Sequence, residues 1–170
     1  MVPDVVDRSV RLLFVGYNPG PTSGRTGHHF AGPGNLFWRL LAEAGLTPGQ
    51  FNPEQDRELL RVGIGITNLV ARVTPSSADL RAEEMAAGGV RLRRLLEEIQ
   101  PEVVAFLGKE IFRYYKGLPA ARPIPWGRQS APGERPELFV LPNPSRRSTL
   151  PYAERLRWYA ELGQRLQPGG

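Results

Sequence analysis

Glu102-Val103-Val104-Ala105-Phe106-Leu107, followed at once by Gly108-Lys109-Glu110, is the stretch that decides the fold class. A short unbroken apolar run rich in valine reads as a strand buried on both faces, as in a parallel sheet. Gly108 and Lys109 open a helix directly behind it. Upstream, Val90, Leu92, Leu95, Leu96 and Ile99 recur at helical spacing, with Arg91, Arg93 and Arg94 facing water. Pro101 stops that helix, and Ser77 or Asp79 is expected to cap its start. Before it, Ile64 to Val70 reads as a short strand passing into a loop, and Pro53 to Arg61 as a short helix. Nearer the N-terminus, Arg11 to Gly16 is a second buried strand, ended by Asn18-Pro19-Gly20. Pro21 to Asn35 reads as a long loop, after which Asn35 caps a helix carrying Leu36, Phe37, Leu40 and Leu41. Downstream, Leu138 to Leu141 is a further strand, Tyr152 to Leu166 a last helix, and Gln167 to Gly170 a frayed tail. Strands alternate with helices throughout, which predicts an α/β fold. The expected architecture is a single three-layer domain over residues 1–170, core about 11–166, with a mainly parallel central sheet flanked by helices.

Composition narrows the chemistry. The 170 residues contain no cysteine and only two histidines, the neighbours His28 and His29. Thiol nucleophiles, iron–sulfur clusters and Cys-ligated zinc are thereby excluded, and neither a metal nor a cofactor is expected. No stretch is long and apolar enough to span a bilayer, and the first residues lack the pattern of a secretory signal. The cytoplasm is the expected location, with nucleoid association if the source is bacterial.

The net charge is +5, carried by 20 Arg and 2 Lys against 17 acids. No Asp or Glu occurs in 8–42, 59–78 or 138–153. These acid-free windows contain three of the four strand ends at which an α/β sheet binds its ligand. An arginine-rich, acid-free face suits a polyanion.

The motifs lie at those strand ends. Gly16-Tyr17-Asn18-Pro19-Gly20 is by itself an ordinary turn, but its amide can hold a water or a base edge without charge. With no acid nearby, this loop does not suit a two-carboxylate glycosidase site. In Gly27-His28-His29-Phe30-Ala31-Gly32-Pro33-Gly34-Asn35, Phe30 is either a core residue or a platform for a flat heterocycle. The two imidazoles suit hydrogen bonds to phosphate or loop backbone better than a metal. Pro142-Asn143-Pro144-Ser145-Arg146-Arg147-Ser148-Thr149 is either a solvated turn or a phosphate clamp with a side chain to push into a duplex. Gly108-Lys109 lacks the flanking residues of a P-loop.

Taken in order with Gly63-Ile64-Gly65-Ile66-Thr67-Asn68-Leu69-Val70, these segments resemble the mismatch-specific uracil/thymine-DNA glycosylase family of the uracil-DNA glycosylase superfamily. The resemblance runs from about Arg11 to Leu166. It implies a monofunctional hydrolase of base excision repair acting on double-stranded DNA with a mispaired or damaged pyrimidine; a monomer is the default for an enzyme that grips a duplex. It also implies that Asn18 holds the attacking water and that Phe30 stacks on the extruded base. Tyr17, Ser23, Asn68 and Thr74 would line the base pocket. Asn143, Ser145, Arg146, Arg147 and Ser148 would bind DNA, with Arg147 filling the gap in the duplex. Asn68 stands where some bacterial members carry lysine, and Arg146 and Arg147 replace a glycine and leucine. Both changes point towards the thymine-processing branch. Ser23 is bulkier than that branch's residue, which favours uracil in G·U mispairs or ethenocytosine over thymine. A broader activity, on hypoxanthine or single-stranded uracil, and a lesion-binding module without turnover are the alternatives.

Overall fold

The computed structural model describes residues 1–166, so the predicted C-terminal tail lies outside the described residues. Four parallel strands form the sheet: β1 (Leu12–Gly16), β2 (Ile64–Asn68), β3 (Val103–Phe106) and β5 (Glu137–Val140), in the order β2-β1-β3-β5. A two-residue strand, β4 (Gly127–Arg128), closes the β5 edge antiparallel. The sequence gives no sign of it, because two residues carry no period.

The helices are α1 (Pro21–Thr26), α2 (Phe37–Glu43), α3 (Ala82–Ile99), α4 (Lys109–Lys116) and α5 (Tyr152–Leu166). Alternate residues of each strand feed two separate cores. Leu12, Phe14, Val103, Ala105 and Phe139 pack with Phe37, Leu40 and Leu41 of α2 and Tyr159 and Leu162 of α5. Leu13, Val15, Val104, Phe106, Leu138 and Val140 pack with Leu92 and Leu96 of α3 and Ile111 and Phe112 of α4. This is the three-layer sandwich expected of near-continuous apolar strands.

The expected boundaries shift in four places. Pro21–Thr26, read as loop, is a short helix with Ser23 its one buried residue, so no apolar period announces it. Asn35 does bond the Phe37 N–H through Oδ1 at 3.0 Å, but the helix's cap residue is Leu36. Pro53–Val62 winds as a 3-10 helix. Ser77–Asp79 forms its own 3-10 turn capped by Ser76, and α3 starts after Arg81, whose N–H is held by Glu84. Val90, expected on the apolar face of α3, is exposed. The first ten residues also pack: Val2, Val5 and Val10 are buried, and Val5 bridges Ile66.

β1 is flanked by β2 on one side and β3 on the other, so the chain reverses its winding direction between β1 and β3. A doubly wound sheet opens its ligand crevice at that point, beyond the carboxyl ends of the strands.

Candidate active site

A cleft of about 740 Å³ lies at those strand ends. It is lined by Tyr17 and Asn18 after β1, Ser23 of α1, Phe30, Asn68 at the end of β2, and Thr74. Its opposite wall carries Asn143, Ser145, Arg146, Arg147 and Ser148 after β5. All eleven residues singled out from the sequence thus converge on one cavity, although they span 132 positions of chain from Tyr17 to Ser148.

The loop after β1 is held by the segment leaving β2. The N–H groups of Leu69, Val70 and Thr74 bond the carbonyls of Gly16, Tyr17 and Pro19 at 2.8, 3.0 and 3.1 Å. Across this ladder the Asn18 Nδ2 donates to the Arg72 carbonyl at 2.8 Å and to the Thr74 Oγ1 at 2.7 Å. A carbonyl accepts only, so Arg72 fixes which way the amide faces. The Thr74 hydroxyl gives its own proton to the Ser76 carbonyl at 2.6 Å, and therefore meets Asn18 as an acceptor. With Nδ2 committed, the Asn18 Oδ1 has no protein partner among the described residues and is not sealed from solvent. It is a directed acceptor, suited to a water's O–H.

Asn68 is placed by strand register opposite Gly16. A Cβ on residue 16 would come within 2.7 Å of the Asn68 Oδ1, so only glycine leaves room for that amide. Asn68 is buried as a residue, yet its side chain makes no hydrogen bond among the described residues and is not sealed from solvent.

Phe30 adopts φ +51°, a conformation that costs a bulky residue about 1–3 kcal/mol. Both neighbouring amides are captured by side chains: the His29 N–H by Asp56 at 3.0 Å and the Ala31 N–H by the buried Ser23 hydroxyl at 3.1 Å. The Phe30 ring stacks on Phe37, with centroids 4.1 Å apart and planes 26° apart. One face of Phe30 is thus anchored to the core, while the residue still lines the cleft. His28 bonds Asp56 at 3.3 Å, and His29 donates from Nε2 to the Pro3 carbonyl at 2.8 Å. Burial pushes the His29 pKa below its usual value, so the ring is neutral near pH 7. Neither imidazole joins a metal cluster, since no three His, Cys, Asp or Glu side chains converge among the described residues.

The floor is set by Tyr17 and Gly108. Gly108 has φ +151°, and a Cβ there would lie 2.5 Å from the Tyr17 ring. Burial raises the Tyr17 pKa to about 12, so the phenol keeps its proton. At the rim, Lys109 Nζ sits over the Trp126 ring at 4.3 Å. Glu110 also lines the cleft, but its carboxylate is paired with Arg113 at 2.9 Å.

Several members of this site escape a sequence reading. Asp56 bonds loop residues 27 and 28 positions away. The Arg72 contact uses a backbone carbonyl, which any residue supplies. Arg155 and Tyr159 hold the loop after β5 from inside helix α5, where they read as ordinary helix positions. Trp126 precedes the unpredicted edge strand.

The overall fold is similar to the solution NMR structure of a Methanosarcina acetivorans protein provisionally assigned as a uracil DNA glycosylase. The TM-score is 0.58 at 20% identity, covering 96% of this chain and 94% of that one. The model of the uracil DNA glycosylase superfamily matches residues 3–167, nearly the full length. With that match over the residues that build the cleft, the chain belongs to the uracil DNA glycosylase superfamily.

Proposed function

We propose that this protein is a monofunctional DNA glycosylase of base excision repair that hydrolyses the N-glycosidic bond of uracil flipped out of duplex DNA. G·U mispairs are its main substrate, ethenocytosine a second and thymine a poor one. The observation that carries this reading is the Asn18 amide, oriented by Arg72 and Thr74 so that a free acceptor oxygen remains in the cleft.

Cleavage breaks the bond between the sugar C1′ and the base nitrogen, and the electron pair leaves with the base. The sugar becomes oxocarbenium-like, an electrophile strong enough to need a placed water rather than a strong base. Asn18 cannot take up a proton at neutral pH; it aims the water's oxygen at C1′, and the proton departs to solvent or to the base. Phe30, braced by Phe37, stacks on the flipped base. The unpaired Asn68 amide donates to the base as negative charge develops on it. Ser23, tied to Ala31, narrows the pocket against a 5-methyl group, which disfavours thymine. Arg147 occupies the gap left in the duplex, offsetting the cost of extrusion.

The test is excision from end-labelled duplexes carrying G·U, A·U and G·T, and from single-stranded uracil, with alkali to reveal abasic sites. Wild type is expected to act on G·U and Asn18→Ala to leave it intact. If a folded, DNA-binding wild type cleaves none of them, a lesion-binding module replaces the enzyme. Equal rates on G·U and G·T would remove the role given to Ser23.

A further inference from the structure

Four consecutive carbonyls of the loop after β5 are engaged from inside the protein. Pro142 O accepts from the Tyr159 hydroxyl at 2.7 Å and Pro144 O from the Leu36 N–H at 3.0 Å. Asn143 O and Ser145 O both accept from Nη1 of Arg155, at 3.3 and 3.1 Å. Arg155 and Tyr159 lie one turn apart, on the same buried face of α5.

Arg155 is 6% exposed, and none of the carboxylates among the described residues pairs with it. Its Nε is buried with no hydrogen-bond partner among the described residues. A guanidinium buried without a counter-ion is a poor device for stability alone. A methionine would fill much of that space without desolvating a charge. What the cation does achieve is to draw two carbonyl oxygens inward. Arg146 and Arg147, next in the chain, are exposed and make no side-chain ion pair or hydrogen bond among the described residues.

We propose that Arg155 is a positioning residue for duplex engagement. It fixes the loop so that Arg146 and Arg147 are presented in one orientation, and it turns the negative ends of the loop's carbonyl dipoles away from the DNA. Its own uncompensated charge adds to the field the phosphates meet. This role rests on the reading of the loop as the part that enters the duplex.

The experiment compares wild type, Arg155→Met, Arg155→Lys and Arg157→Leu. Arg157, exposed on the same helix, is the control for loss of one positive charge. Two quantities are read: the ratio of excision rates on G·U duplex and single-stranded uracil, and affinity for duplex over single-stranded DNA by fluorescence anisotropy. The second does not depend on turnover, so a wild type that binds duplex but excises nothing refutes the enzyme reading while still testing Arg155. Arg155→Met is expected to lower both ratios about tenfold, the loss of one charge-assisted contact pair. Arg155→Lys should recover most of that loss, and Arg157→Leu should leave the ratios near wild type. Equal effects of Arg155→Met and Arg157→Leu, or an unchanged ratio in Arg155→Met, would overturn the proposal. If Arg155→Met does not fold, Arg155→Gln carries the same comparison.

Discussion

On the β1 side of the cleft Asn18, Thr74 and Phe30 are neutral and already held by the protein; on the β5 side the backbone is held and the Arg146 and Arg147 side chains have no polar partner among the described residues. Asn18 and Thr74 are linked in a directed chain that ends on backbone carbonyls. Phe30 is braced by Phe37 and by captured amides on either side. Across the cleft, the carbonyls of Pro142 to Ser145 are tied down, while Arg146 and Arg147 are exposed. Under the proposed function the contrast matches two different tasks. Placing a water within a few tenths of an ångström needs orientation fixed before the substrate arrives. Gripping a polyanion of variable sequence needs long cations on a firm base, since phosphate contacts position without reading.

If the two walls do divide the work this way, mutations on each should fail differently. The largest effect is expected from Asn18→Ala, roughly a 10³-fold loss of kcat, with affinity for abasic duplex nearly unchanged. An equal loss of affinity would mean that Asn18 serves binding. Next is Thr74→Val, which removes the hydroxyl link but leaves the Arg72 contact. A fall of about 10²-fold in kcat is expected, with Thr74→Ser close to wild type. If Thr74→Val instead raises KM alone, Thr74 touches the base rather than orienting Asn18. From the opposite wall, Arg147→Ala should cost about tenfold on G·U duplex and less on single-stranded uracil. Equal losses on the two substrates would remove its assignment to the duplex gap.

The same contrast explains what the sequence disclosed. Three of the four parallel strands are legible because each is an apolar run closed by a turn residue, and β2, broken by Gly65, by its isoleucines. The convergence of their carboxyl ends then follows from the α/β class, which brings Asn18, Asn68 and the Asn143 to Ser148 loop to one crevice. The bracing is not legible. Asn18 meets Thr74 across 56 positions and Arg72 across 54. Asp56 and Arg155 look like surface charges, yet both are buried. Side chains that face a ligand leave motifs; the contacts that hold them use carbonyls and distant partners, which leave none.

The smallest predicted effect concerns the Phe30 loop and acid. His29 is buried and holds the Pro3 carbonyl, and its pKa in the folded protein lies below 6.5, burial outweighing the attraction of Asp56 and Asp4. The unfolded chain, with an ordinary histidine, takes up the proton at a pH where the folded protein resists it. Stability is therefore fully present above pH 6.5 and is lost as pH falls from there towards the folded pKa. The exposed carboxylates with lowered pKa act in a lower window: Asp7, Glu43 and Glu84 give up their contribution as pH falls through about 4.5 and below. A decline in Tm between pH 6.5 and pH 5 thus isolates His29 from them. That decline is expected to shrink in His29→Gln, which retains a donor for Pro3 but cannot titrate. A slope of the same size in His29→Gln would show that the acid sensitivity lies elsewhere and that the loop beneath Phe30 is indifferent to this ring's charge.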